Sequence, residues 1–406
     1  MLKQIYLKRY GKALIAFALV IFGIHFLNAF SAVSSWQSQN NYLHSKEFKA
    51  EYDNHSEGFT YWNSEKNQDI PYASRQDYIT DQLYFYRDNY QAQQISNKRY
   101  QSYNPNATYF GQTGQGYALL SLLLVGLSGF LIFFIDEKTA FNRFLFSLPQ
   151  KRSQLFSEKL VYVALPILGS LLLSQLFYIC YLKMGIPAPY LNVTWGQLLQ
   201  SAASSFTLNV LLFTCSMFIG SMVGNLVFGP LTWVGFVFFA SFLPSAWNSF
   251  LNLFNRQNAN PFSFNPENLF IYTLGKTGGY WWMIPIFLVL IFLFLGWTAR
   301  KYLTLSLEND GDYLLHQNAR WPIWSLMWVF MSFIILNAFT NTWQLYFILK
   351  DSQEAVSFTQ TILSTLVTIA IIGILLFLLV FFSSIKTKWE IYRTKKQDLR
   401  MNDFSH

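Results

Sequence analysis

The 406-residue chain is predicted to be an all-α polytopic membrane protein with about eight transmembrane helices. Three observations predict it. Apolar residues make up 52% of the chain and charged residues only 12%, about half the charge of an ordinary soluble domain. Eight segments hold the roughly 20 mostly apolar residues that a helix needs to cross a bilayer. They are 13–32, 116–135, 160–181, 203–223, 226–246, 280–299, 322–340 and 359–384. Lysine and arginine gather in alternate connections, as the positive-inside rule requires. With the N-terminus inside, 18 of the 29 fall in segments 1–12, 136–159, 300–321 and 385–406. That bias predicts an even number of spans and both termini in the cytoplasm of a cell membrane. The net charge of +8 sits in short loops beside apolar runs, which argues against a nucleic-acid surface.

Taken in order, the cytoplasmic N-terminus 1–12 carries Lys3, Lys8, Arg9 and Lys12 before the first span. The apolar run after it is long and lacks a clean small-x-small cleavage site, so it reads as a retained span rather than a signal peptide. Residues 33–115 form an extracellular insertion that is expected to be mostly helical and to pack on extensions of the first two spans. Within it Ser74-Arg-Gln-Asp77 reads as a capping box, after which Ile79, Leu83, Tyr86 and Tyr90 share a helical face. Residues 184–255 contain no charge and no histidine, and two spans joined by a turn near Gly224-Asn225 fit there. Pro230 and Pro244 flank the second of these, where neighbours must satisfy the carbonyls they free. A cytoplasmic loop, 300–321, leads to two additional spans in 322–384, and 385–406 is a basic tail. Cys180 and Cys215 lie in apolar runs and imply neither a disulfide framework nor a metal site.

Segment 136–159 is charged and too polar for lipid, so it projects into the cytoplasm. Phe141, Phe144, Leu145 and Leu148 follow an i, i+3, i+4, i+7 spacing, which predicts a short helix lying in the interface with its apolar side toward the bundle. Ser147 then reads as the cap of a second helix, with Pro149 in its first turn and Gln150 reaching back.

Asp136 and Glu137 end the second span, the short helix 140–146 follows, and Ser147-Leu148-Pro149, Arg152 and Lys159 lead into the third span. In these features the chain resembles the permease subunits of ABC transporters of the type-2 exporter family. The aromatic loop 247–279 is similar to that family's re-entrant outer helices. Glu308 and Gly311 match a Glu-x-x-Gly that some members carry before two further spans. The resemblance implies a six-helix permease core over 13–299, with segment 136–159 as its coupling segment. It implies a coupling helix resting in a groove of a separate ATP-binding cassette ATPase subunit, with Glu137, Phe141, Arg143, Phe144, Pro149 and Arg152 as the docking residues. It also implies pairing with a second permease, as a homodimer or heterodimer, within membrane lipid. The family often has a small residue, or Gly and Thr, before this helix, where Ala140-Phe141 stands here.

The chain carries no phosphate-binding loop of its own. Gly275-Lys-Thr277 is the nearest sequence, but Phe270 stands where that loop needs glycine. An ATP-driven machine would therefore keep its nucleotide on the partner, with no cofactor and no catalytic residue here. No metal-ligand spacing is present. His25 and Asn28, polar groups inside the first span, are candidate pathway residues, with interhelical packing as the plainer reading. Two other functions fit parts of the sequence. One is a membrane sensor or immunity protein that binds an extracellular peptide through 33–115. The other is a lipid-modifying enzyme that gathers Asp136, Glu137, Glu308, Asp310 and Asp312 at one face.

Overall fold

The computed structural model describes residues 2–63, 67–85, 90–95, 98–103, 115–191, 193–253, 283–305, 313–349 and 357–403. Helix α1 (Leu2–Leu43) is 42 residues long, roughly 63 Å at 1.5 Å per residue and about twice the thickness of a bilayer core. It is followed by α2 (Lys46–Asn54), a hairpin of β1 (Thr60–Asn63) and β2 (Gln68–Pro71), and α3 (Arg75–Leu83). A second hairpin pairs β3 (Tyr90–Ile95) with β4 (Lys98–Tyr103). Then come α4 (Gln115–Lys138), α5 (Phe141–Phe146), α6 (Arg152–Gly185), the short α7 (Ala188–Leu191) and α8 (Trp195–Met222). The chain continues with α9 (Phe228–Ser241), α10 (Leu243–Asn252), α11 (Met283–Leu303), α12 (Gln317–Phe339), α13 (Thr342–Leu349) and α14 (Phe358–Asp403).

Among the described residues, seven helices are long and apolar enough to cross a membrane: α1, α4, α6, α8, α11, α12 and α14. The chain is an all-α multi-pass membrane protein. The predicted fifth span, 226–246, is the exception. Its helix α9 has 14 residues, about 21 Å, short of a bilayer core. Phe242 breaks it, and a separate α10 begins at Leu243. Pro244 is the cause in the sequence, since it has no amide hydrogen to continue α9 and its ring would crowd the carbonyl of Ala240. The aromatic loop expected at 247–279 is helical as far as Asn252, and 254–282 lies outside the described residues. So do Glu308 and Gly311.

Two compact units divide the chain. Unit 1 comprises residues 1–128, 158–213 and 270–292, and unit 2 comprises 129–157, 214–269 and 293–406. In unit 1 the upper part of α1 runs beside α6, and α2 and α3 fold over it as a collar. Phe48, Tyr52, Ile79 and Leu83 are buried with Ala32, Val33 and Trp36 of α1 in one apolar core. Trp36 Nε1 donates to the carbonyl of Leu83 at 2.8 Å, which fixes the end of α3 on α1. The expected cap of α3 is present, with Asp77 N donating to Ser74 Oγ at 3.1 Å. The helix then stops at Leu83, because Tyr84 adopts extended backbone, and Tyr90 begins β3 instead of extending the helical face. Among its described residues the insertion combines short helices with two antiparallel hairpins.

Two helices widen for one turn. In α6 the stretch Leu160–Ala164 is a π-turn, closed by Leu165 N donating to the carbonyl of Leu160. It lies directly before Pro166, whose missing amide hydrogen interrupts the ordinary ladder. In α12 a π-turn spans Ile335–Phe339, and Asn341, at φ 44°, then turns the chain into α13.

Candidate functional site

The predicted contact segment begins where α4 ends, and its residues 136–157 lie in unit 2. Asp136 and Glu137 there are buried. A buried carboxylate needs a donor, and Glu137 finds one in Asn142, whose Nδ2 donates to Oε2 at 2.8 Å. To bring Asn142 back over Glu137 the chain must reverse within four residues. It does so at Ala140, which takes a left-handed conformation at φ 55°. The first turn of α5 then follows, with Arg143 N donating to the Ala140 carbonyl at 3.1 Å.

This anchor sets the rotation of α5. Its inner face is Asn142 and Leu145, both buried, whereas periodicity predicts Phe141, Phe144, Leu145 and Leu148. Phe144 is 47% exposed and Phe141 half-buried, and their rings stack on one another with centroids 5.7 Å apart. Arg143 and Pro149 are exposed beside them. Ser147 caps the end of α5 rather than the start of the next helix, its Oγ donating to the carbonyl of Phe144 at 2.8 Å. Lys151 opens α6 instead, its carbonyl accepting from Gln154 N and Leu155 N.

Arg152 is a brace. Its guanidinium lies 4.3 Å from the centroid of the Phe146 ring and donates to the carbonyls of Leu303 (3.0 Å) and Leu305 (2.8 Å). Those carbonyls terminate α11, where a cation also complements the helix dipole. Around it the rings of Phe133, Phe146 and Phe156 each pack against Tyr302, at 5.5, 5.5 and 5.6 Å. One aromatic cluster therefore ties α4, α5, α6 and α11 together. The six predicted docking residues fall into two sets: Phe141, Arg143, Phe144 and Pro149 on the outer side, and Glu137 and Arg152 as the anchors beneath.

The turn after α8 is also held. Lys138 Nζ donates to the carbonyl of Gly224, and Asn225 Oδ1 accepts from Val227 N (2.9 Å) and Phe228 N (3.1 Å), starting α9. Residues 313–315 pair with 222–224, Gly224 N donating to Tyr313 O at 3.0 Å and Leu315 N to Met222 O at 2.9 Å. Gly220 of α8 meets the backbone of Phe130 of α4 so closely that any Cβ would overlap the Phe130 carbonyl. Next to the pairing, burial lowers the pKa of His316 to about 4, with the charge of Lys301 adding to the effect.

The predicted pathway residues lie in unit 1. His25 Nδ1 donates to the Ile21 carbonyl (2.9 Å) and sits 3.3 Å from Ser174 Oγ of α6, and both side chains are buried. Asn28 is buried a turn further on, its Oδ1 without a hydrogen-bond partner, as is Gln175 Oε1 on α6. The charge-free region adds a stripe that sequence reading missed: Ser201, Ser204, Ser205 and Asn209 of α8 are all buried. Their i, i+3, i+4, i+8 spacing is the signal that would have found it. Among the described residues no three His, Cys, Asp or Glu side chains gather as a metal site. Comparison with protein families, curated proteins and solved structures found no match to this chain.

Proposed function

We propose that the chain is the membrane-spanning subunit of an ATP-driven exporter, energised by a separate ATP-binding subunit that docks on α5 from the cytoplasm. One observation carries the proposal. A helix of six residues is anchored from beneath by Glu137, Leu145 and the aromatic cluster, and it presents a stacked aromatic pair and an arginine outward. Aromatic and arginine side chains on a rigid support are the composition of an interaction hot spot. The support also supplies the mechanics. A push on α5 meets Phe146, Arg152 and Tyr302, so it is delivered to the end of α11 and to α4 as one rigid piece. Rigid-body tilting of helices around such a contact is the form that switching between inward and outward states takes. The partner would bind and hydrolyse ATP, and a second permease copy or relative would complete the pathway. Buried polar side chains of α1, α6 and α8, His25 and Asn28 among them, are the groups proposed to face the cargo.

Replacing Phe141 and Phe144 together by Asp tests the proposal. The doubly substituted chain is expected to insert normally and to lose co-purification with the ATP-binding subunit expressed beside it. Retained co-purification would remove α5 as the docking element.

A further inference from the structure

Unit 2 contains a cavity of about 380 Å³ between α8, α9, α12 and α14. That is some 2.5 times the size of an engineered apolar cavity that holds benzene. Its walls are Phe218, Met222, Phe236, Met327, Phe330 and Leu376 with similar neighbours, and no charged side chain lines it. Two hydroxyls reach it, and both are already spent. Thr232 Oγ1 donates to the carbonyl of Phe228 at 2.6 Å, so the Tyr313 hydroxyl, 3.0 Å away, donates to Thr232. A polar ligand would be desolvated here without compensation. An empty apolar space of this size forfeits the dispersion contacts of its whole lining and does not hold water.

The open side of the cavity identifies what fills it. Of its lining residues, Leu231 of α9 and Leu326 of α12 are the exposed ones, at 60% and 50%. Their neighbours Val234, Phe238 and Val329 are exposed too. Apolar helix faces of a multi-pass membrane protein that stand exposed meet bilayer hydrocarbon. We propose that this cavity holds one alkyl chain of a membrane phospholipid, which enters from the bilayer past Leu231 and Leu326 while its headgroup stays outside. The source is the bilayer because the walls offer the polar part of an amphiphile no charged side chain and no uncommitted hydroxyl hydrogen. The site does not depend on the exporter proposal.

A phosphatidylcholine bearing a diazirine midway along one acyl chain, doped into vesicles that contain the full chain, tests this. Peptides from 215–239 and 323–331 should be labelled about tenfold above the exposed side of α1 around Ile15 and Leu19, which serves as the bulk-lipid reference. Gly235 lines the cavity, and a Cβ added there meets nothing within 4 Å. Gly235→Trp should fill the space and remove the excess labelling without changing that of α1, and Met327→Trp should do the same from the opposite wall. Equal labelling of cavity and α1 peptides overturns the proposal, whether another part of this chain or a second copy occupies the space. So does excess labelling that survives both substitutions. Should neither variant insert, the wild-type labelling ratio decides alone.

Discussion

The collar of unit 1 and helix α5 of unit 2 use aromatic residues in opposite ways. Both are short helical pieces set at the end of a long apolar helix. The collar encloses its rings: Phe48 is 2% exposed and Tyr52 7%, and both pack with Phe59 and Tyr78. Helix α5 buries an amide and one leucine and leaves Phe144 47% exposed. The collar's aromatics stabilise the chain that carries them. Phe141 and Phe144 of α5 contribute little to its fold, and they stand on a helix seated by Asn142, Leu145 and Phe146. The same residue type is thus enclosed in one unit and exposed in the other, and what separates them is which side of the helix has been anchored.

Substitutions can break that contrast. The largest effect is expected at Phe48→Ala, which opens the collar core and should cost about 3–5 kcal/mol of local stability. Faster proteolysis of residues 44–85 would report it, and an unchanged cleavage rate would show that the collar is not a packed unit. Leu145→Ala should cost about 2–5 kcal/mol and release α5 from its seat, read as new cleavage between Lys138 and Lys151. Asn142→Ala leaves the Glu137 carboxylate buried without its donor, at about 1–3 kcal/mol, and adding Glu137→Gln should recover part of the loss in thermal unfolding. Phe144→Ala should shift stability by no more than about 0.5 kcal/mol, since its ring is half in solvent. A loss comparable to that of Leu145→Ala would mean that α5 packs on both faces, and the contrast would fail.

A separate effect is expected from pH. His316 has a folded-state pKa of about 4 against an ordinary 6.5, because burial, and then Lys301, disfavour its charged form. As pH falls below 6.5 the unfolded chain takes up that proton before the folded one does. Stability is therefore full above this window and declines through it toward the lower value. The thermal midpoint of the wild type should drop more between neutral pH and mildly acidic pH than that of His316→Gln. Equal drops would place the histidine in water.

Much of this architecture is legible in the sequence, for physical reasons that also explain what is not. Hydropathy finds the long helices because a bilayer requires length and apolarity from each span on its own, as in α4 and α8. The Ser74 cap is legible because capping is local chemistry. Helix α9 reads as a full span because hydropathy does not register that Pro244 ends it. The rotation of α5 is illegible to periodicity because a distant requirement sets it. Glu137 must be satisfied inside the protein, so polar Asn142 turns in and the apolar pair turns out. Arg152 reads as a contact residue from its place in the motif. Its use as a brace depends on the carbonyls of Leu303 and Leu305, about 150 positions away in the chain.

The most direct measurement places a photo-crosslinking phenylalanine at position 144, and a second one at position 78 in the collar, in membranes that also contain the proposed ATP-binding subunit. The exposed side of α5 as a docking surface predicts a crosslink from position 144 to that subunit, and from position 78 only to this chain. A position 144 crosslink confined to lipid or to this chain would contradict it.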